Sequence, residues 1–333
     1  MTPKFFVKLS VAGLACFGLT TSALAGQGVP GSLLVFPNFD NTRGDLTFLT
    51  VTNTSDDQVN GAVNVEFVYI NGVNCQEFNR TRTLTPNDEI TVITQIDNPN
   101  MHKGYCYVFA KSKITGAAIK FDHLIGTALI VEANNGVDTP DYSINPWVFK
   151  AGAALAEGNP TDLNTNGLRD LNGLEYELAP DKLDQPRFFG EGGGFTAATQ
   201  LVLINMTGGA AFNTVVDFLV YNDNEEVFSA QYNFGCWAKV HLHNISNVFD
   251  NAFLVTTNHA AGEIPGLPSG FAETGWYRIN GNTSFSTAAQ FFDPAILSAQ
   301  IETIIGHFGG AVLPFTEGTQ ANGSLLSHNL FGN

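Results

Sequence analysis

The chain has 333 residues, of which 15 are Lys or Arg and 31 are Asp or Glu, for a formal net charge of −16. This balance excludes the basic surface that nucleic acid or anionic lipid headgroups require. Because 44% of residues are hydrophobic and only 14% charged, the composition is that of a folded protein and not of an acidic disordered tail.

Residues 1–25 read as a secretory signal peptide. Lys4 and Lys8 give a charged start, Leu9 to Leu19 an apolar core, and Ala23-Leu24-Ala25 the small residues that signal peptidase needs. The core is too short for a bilayer, and no later run approaches the roughly 20 apolar residues of a membrane span, so none is expected. Loss of the leader removes two of the basic residues and no acidic one, which deepens the negative charge. Export would place the protein outside the cell, at the cell surface or in a periplasm, where thiols oxidise. Cys75 and Cys106 fall in strand-like segments of one domain and are expected to pair, leaving Cys236 over.

Residues 26–150 read as a first β-sandwich. Ala62 to Tyr69 alternates and is rich in β-branched and aromatic residues. Asn71-Gly72 marks a tight hairpin, and Thr85-Pro86-Asn87-Asp88 a turn before a strand from Glu89 to Gln95. A second sandwich is expected over 187–333, because the halves repeat. Leu49 to Ser55 answers Leu201 to Thr207, Val65 to Val68 answers Val216 to Leu219, and the segment from Gly104 aligns without a gap to that from Gly275. A repeat this long indicates two domains of one fold, not a solenoid. The second copy carries extra residues around Asn244 to Gly270. Ile296, Ile301, Ile304 and Ile305 have nearly helical spacing, whereas the matching Phe121 to Val131 reads as strand, so this element is left open. Asp122 and Asp293 recur in both copies, as Phe-Asp-His and Phe-Asp-Pro, which suits a turn-holding role better than a catalytic one.

Between the halves, 151–186 reads as a linker rich in Gly, Asn, Asp and Pro. Within it Asp162, Asn164, Asn166, Gly167, Leu168 and Asp170 follow the alternation of a calcium loop, in which side-chain oxygens at every second place and one backbone carbonyl surround the ion. This segment resembles EF-hand loops and is similar to the calcium repeats of thrombospondin type 3 and dockerin modules. The resemblance implies side-chain ligation by Asp162, Asn164, Asn166 and Asp170 and a carbonyl from Leu168. It departs at its end: Gly173 stands where an EF-hand has Glu, and Glu175 comes two residues late. The alternative is a metal-free Asn-Gly turn linker.

His241-Leu242-His243 would put two imidazoles on one strand face, with Glu273 a conceivable third ligand for a transition metal. Gly235, five residues and His-x-His are similar to the start of the cupin metal motif. The acid expected soon after His243 is missing, however, and Glu273 replaces the last histidine. Gly31-Ser32-Leu33-Leu34 and Gly323-Ser324-Leu325-Leu326 could serve as terminal strands that pair with a neighbouring copy.

The fold class expected is therefore all-β: two tandem related antiparallel β-sandwiches joined by a loop-rich segment. The Leu49 to Ser55 strand, the alternating strand after it and the Pro-turn strand together resemble immunoglobulin-like modules of exported bacterial cell-surface proteins. That resemblance implies a secreted structural or adhesive protein, calcium-stabilised, more readily than an enzyme. Its long loops, Asn244 to Gly270 and Ala133 to Asn145, would meet a glycan, a cell-surface component or copies of itself. Two other functions stay open: an extracellular enzyme or metal-binding sandwich using the second-domain loops, and a glycan-binding module using Trp237 and Trp276.

Overall fold

A computed structural model describes residues 28–131, 141–206, 214–257, 266–283, 295–305, 308–317 and 320–325. The signal-peptide segment, Asp293 and most of Ala133 to Asn145 lie outside them. The first half contains β1 (Leu33–Asp40), β2 (Leu46–Asn53), β3 (Val63–Asn71), β4 (Glu77–Leu84), β5 (Glu89–Ile93) and the one-turn α1 (Thr94–Asp97). It continues with β6 (Lys103–Lys111), β7 (Leu124–Val131), β8 (Tyr142–Ile144) and β9 (Trp147–Phe149). The linker contributes β10 (Arg169–Leu171) and β11 (Ala179–Pro180).

The second half repeats the series with β12 (Lys182–Phe189), β13 (Ala198–Asn205), β14 (Thr214–Asn222), β15 (Val227–Phe234), β16 (Trp237–His241) and α2 (Leu242–Ile245). An inserted helix, α3 (Asn251–Thr257), precedes β17 (Thr274–Thr283), β18 (Ile296–Ile304), β19 (Phe308–Val312) and β20 (Phe315–Thr316). Short β21 (Gln320–Ala321) and β22 (Gly323–Leu325) close the described chain.

The fold is all-β, and the two halves have the same topology. The first has sheets ordered β4-β3-β6-β1-β9 and β5-β2-β7-β8; the second has β15-β14-β17-β12-β20 and β16-β13-β18-β19, with every pairing antiparallel. Each half is a sandwich of a five- and a four-stranded sheet. The repeat also reaches further back than the sequence suggested. In β1 the register to β6 shifts between Phe36 and Phe39, around Pro37; in β12 the register to β17 shifts between Gln185 and Phe188, around Pro186. Proline cannot donate to a ladder, so a bulge is where a paired strand tolerates it. The second sandwich thus starts at Lys182, inside the segment read as linker.

Burial patterns show how the sandwiches stack. Strands β2 and β14 alternate between buried and half-buried, as sheets with one solvent face do. Strands β1, β9, β13 and β18 are buried almost throughout, because they are covered on both faces. The first half's five-stranded sheet lies against the second half's four-stranded one, with β1 touching β13 and β18, and β6 touching β16. One continuous apolar core runs through both halves. The element left open by sequence is strand β18: its isoleucines are spaced without alternation because both faces are buried.

The disulfide expectation is corrected. Cys75 bonds Cys236, across the two halves and over a separation of 161 residues, while Cys106 is a buried free thiol. Cys106 lies inside β6, paired with both β1 and β3, where its side chain faces a packed core. Cys75 sits in the β3–β4 turn at φ 59° and reaches the turn before β16 instead. That turn also departs from the expected two-residue hairpin, since it runs from Gly72 to Gln76. The use of Gly72 is space: a Cβ there would stand 2.3 Å from Cε3 of Trp237. The first Gly-Ser-Leu-Leu segment is not an open edge, and the second is paired along one side over Gly323–Leu325. Strand β1 is flanked by β6 and β9, and β22 pairs with β10.

Candidate metal centres

Two clusters can offer ligands. The first is the 162–175 loop at the joint between the halves. Asp162 accepts from Asn166 N at 3.1 Å and Gly167 N at 3.1 Å, and Asn166 Oδ1 accepts from Leu168 N at 2.8 Å. The side chains of Asn164 and Asn166 both meet Asp170 Oδ2, at 2.8 and 2.9 Å. Glu175, late in sequence, is folded back to the start of the loop, where Oε1 accepts from Leu163 N and Asn164 N. Its Oε2 is buried with no hydrogen-bond donor among the described residues. Burial raises the Glu175 carboxyl above its ordinary range, opposed by those two backbone N–H groups. The structure therefore gathers Asp162, Asn164, Asn166, Asp170 and Glu175 around one loop. Arg169 stands beside Asp162 at 3.6 Å and lies over the Phe109 ring of the first sandwich. Asp170 accepts from Ser324 Oγ at 2.9 Å, and Ser324 N donates to Met206 O of the second.

The second cluster is Glu191, His241 and His243. One ligand atom from each lies within 4.8 Å of the others, the one such group of three or more His, Cys, Asp or Glu among the described residues. His241 ends β16, but His243 is in α2, so the pair does not share a strand face; the turn into α2 brings the rings to 5.4 Å. His243 Nδ1 contacts Glu191 Oε2, and His241 Nδ1 lies 3.9 Å from the same oxygen. Gln200, across from His241 in the β13–β16 ladder, meets its Nε2 at 3.0 Å.

The sequence reading missed Glu191. It stands in Gly190-Glu191-Gly192-Gly193-Gly194, just after β12 and about fifty residues before the histidines. Its backbone is held on both sides, Glu191 N donating to Phe249 O and Asn251 N to Glu191 O. A Cβ at Gly190 would come within 2.8 Å of Asn251 Cα, so glycine is what lets this segment approach. Glu273 is not the third ligand of this group. It is almost fully buried and supports the segment through its backbone, with Gly190 N donating to Glu273 O and Glu273 N donating to Asn251 Oδ1. In the first half Ile93 and Gln95 hold the places of His241 and His243, so the cluster belongs to the second half alone.

No family model and no curated protein matches the chain.

The remaining candidates resolve by contact. Asp122 accepts from Ser32 Oγ at 2.6 Å and from Ala151 N at 2.9 Å, fastening the start of β1 to the chain after β9. Trp237 is buried, its indole N–H donating to Pro37 O, so it offers no face to a ligand. Trp276 is half-buried and stacks on Tyr221 with ring centroids 4.1 Å apart.

Proposed function

We propose that this is an exported, non-enzymatic structural or adhesive protein of the cell surface, in which two sandwiches act as one rigid body that presents the second half's insertion. The observation that carries the reading is the Cys75–Cys236 bond between the halves, since such bonds persist in oxidising compartments. Trp147 supports it, because its indole N–H donates across the interface to Ser298 O at 3.0 Å. A body fixed in this way holds its loops at constant spacing, which surface presentation needs and a hinged pair of domains would not give.

Calcium at the 162–175 loop is part of this reading. Three carboxylates against the Arg169 guanidinium leave two negative charges, matching a divalent cation, and the buried Glu175 Oε2 lacks a donor. Oxygens of Asp162, Asn164, Asn166, Asp170 and Glu175 and the Leu168 carbonyl would hold it. All are hard ligands of the kind calcium takes. Bound there, the ion would tie the loop to the first sandwich through Arg169 and Phe109 and to the C-terminal strand through Asp170.

Fractionation of the source cells, combined with thiol labelling under denaturing conditions, tests the proposal. The protein should be found outside the cytoplasm with one reactive thiol per mature chain, that of Cys106. A cytoplasmic protein with Cys75, Cys106 and Cys236 all reactive would overturn it.

A second reading, glycan binding, is favoured by the Trp276–Tyr221 stack on a solvent-facing side of β14 and β17, beside Arg278. Sugar rings pack on such aromatic faces through their C–H surfaces. A glycan array with wild type and Trp276→Ala decides it: binding that the variant loses supports the reading, and no binding removes it.

A further inference from the structure

We propose that Glu191, His241 and His243 form a binding site for one divalent transition-metal ion of the zinc class, separate from the oxygen-lined loop at 162–175. Two imidazoles and a carboxylate are a borderline-soft N,N,O donor set, which suits zinc, cobalt or nickel and not calcium or magnesium. The three ligand atoms already lie within 4.8 Å of one another, and a tetrahedral site with bonds of about 2.0–2.2 Å needs them roughly 3.3 Å apart. The His243–Glu191 contact must open slightly and the His241–Glu191 separation of 3.9 Å must close slightly, changes within the reach of side-chain rotation.

The surroundings have the features of a built site. Gln200 Nε2 lies 3.0 Å from His241 Nε2, so this side chain holds the ring at the nitrogen away from Glu191; with the amide turned to present its oxygen there, the proton would sit on Nε2 and leave Nδ1 to ligate. A partner at the far ring nitrogen is the usual way a ligating histidine is fixed in one tautomer. Glu191 is carried on backbone pinned to Phe249 and Asn251, so it does not depend on a free loop for its position. Asp250 stands beside Glu191 in a parallel bridge, which puts a second carboxylate next to the cluster. All three ligands are partly exposed, with 26–34% of each side chain accessible, so the ion could enter and keep a position for water or an anionic group.

The consequence is structural as well as chemical. The metal would join the Gly-rich segment after β12 to α2, at the root of the insertion that holds α3. The first sandwich, with Ile93 and Gln95 at the matching places, has no counterpart.

The test uses the full mature protein, dialysed against chelator and then titrated with Co²⁺ and with Zn²⁺ in millimolar calcium. The calcium keeps the loop out of the comparison. One Co²⁺ per chain should bind with the intense visible absorption of a four-coordinate nitrogen–oxygen site, and Zn²⁺ should displace it. His243→Ala and the near-isosteric Glu191→Gln should each weaken Zn²⁺ at least tenfold, and His123→Ala, far from the cluster, should leave it unchanged. Thermal melts in EDTA check that the variants fold. If His243→Ala does not fold, Glu191→Gln with the cobalt spectrum decides alone. No stoichiometric binding by folded wild type, or binding that both folded variants retain, would overturn the proposal.

Discussion

The Trp237 indole N–H of the second sandwich donates to the Pro37 carbonyl of the first at 2.9 Å, across 200 residues of chain. Pro37 lies in the bulge of β1, where the ladder to β6 is interrupted and a carbonyl is left for another partner. The ring that makes this bond also fills the space above Gly72, next to the Cys75–Cys236 bond. Packing, hydrogen bonding and a covalent link therefore converge on one corner of the interface.

Small changes at that corner should be felt by the whole molecule. Gly72→Ala drives a methyl group into the indole and should cost about 1–3 kcal/mol, the usual range for overpacking. Trp237→Phe leaves the buried Pro37 carbonyl without its donor and should cost a similar amount, about 1–3 kcal/mol. Urea melts check both, with midpoints falling while the slope stays unchanged. A wild-type midpoint for Gly72→Ala would mean that the indole is not seated there.

Reduction of Cys75–Cys236, or Cys75→Ala with Cys236→Ala, should destabilise the protein by about 2–5 kcal/mol, the upper end belonging to long closed loops. The measurement is denaturant unfolding with and without reductant. Only the oxidised wild type should be sensitive to it.

How much of this was legible in the sequence depends on the range of the interaction. The repeat and the β character were, because alternating strands such as Val63–Asn71 and the Gly104/Gly275 match are local patterns. Those two glycines recur for a physical reason: a Cβ would stand 1.9 Å from Ile70 O in one half and 2.4 Å from Tyr221 O in the other. The disulfide partner was not legible, because it depends on which sheets stack, and nothing in the spacing of Cys75, Cys106 and Cys236 encodes that. Strand β18 lost its alternation to burial on both faces. At the histidine cluster the two rings could be seen from their adjacency. Glu191 could not, although its run of glycines was a signal of close backbone approach that would have directed attention to it.

Alkaline pH should weaken the fold. Burial holds the Cys106 thiol well above its ordinary 9.0, and likewise raises the Tyr105, Tyr107 and Tyr277 hydroxyls above their ordinary 10.0. The folded state keeps protons that the unfolded chain would release. Its stability is complete below about pH 9 and declines as pH rises through the range where the unfolded groups ionise. Urea midpoints should hold to about pH 9 and fall from there to about pH 11, and Ellman's reagent should not label Cys106 at about pH 8 until urea unfolds the chain. Rapid labelling of the native protein would contradict its burial.

At the 162–175 loop, millimolar calcium should raise the melting temperature of wild type over its value in EDTA, and leave Asp162→Ala/Asp170→Ala unmoved. Glu175→Gln should also lose the response, because the neutral amide removes one of the three charges that balance the ion. Equal curves for all these proteins would make the segment a metal-free linker.

The central claim is that two sandwiches of one fold form a single cooperative body. Scanning calorimetry of the oxidised mature protein tests it most directly. One transition whose calorimetric enthalpy equals the van't Hoff enthalpy is the predicted result. Two resolved transitions, each carrying the enthalpy of one half, would contradict it and make the halves independent domains on a tether.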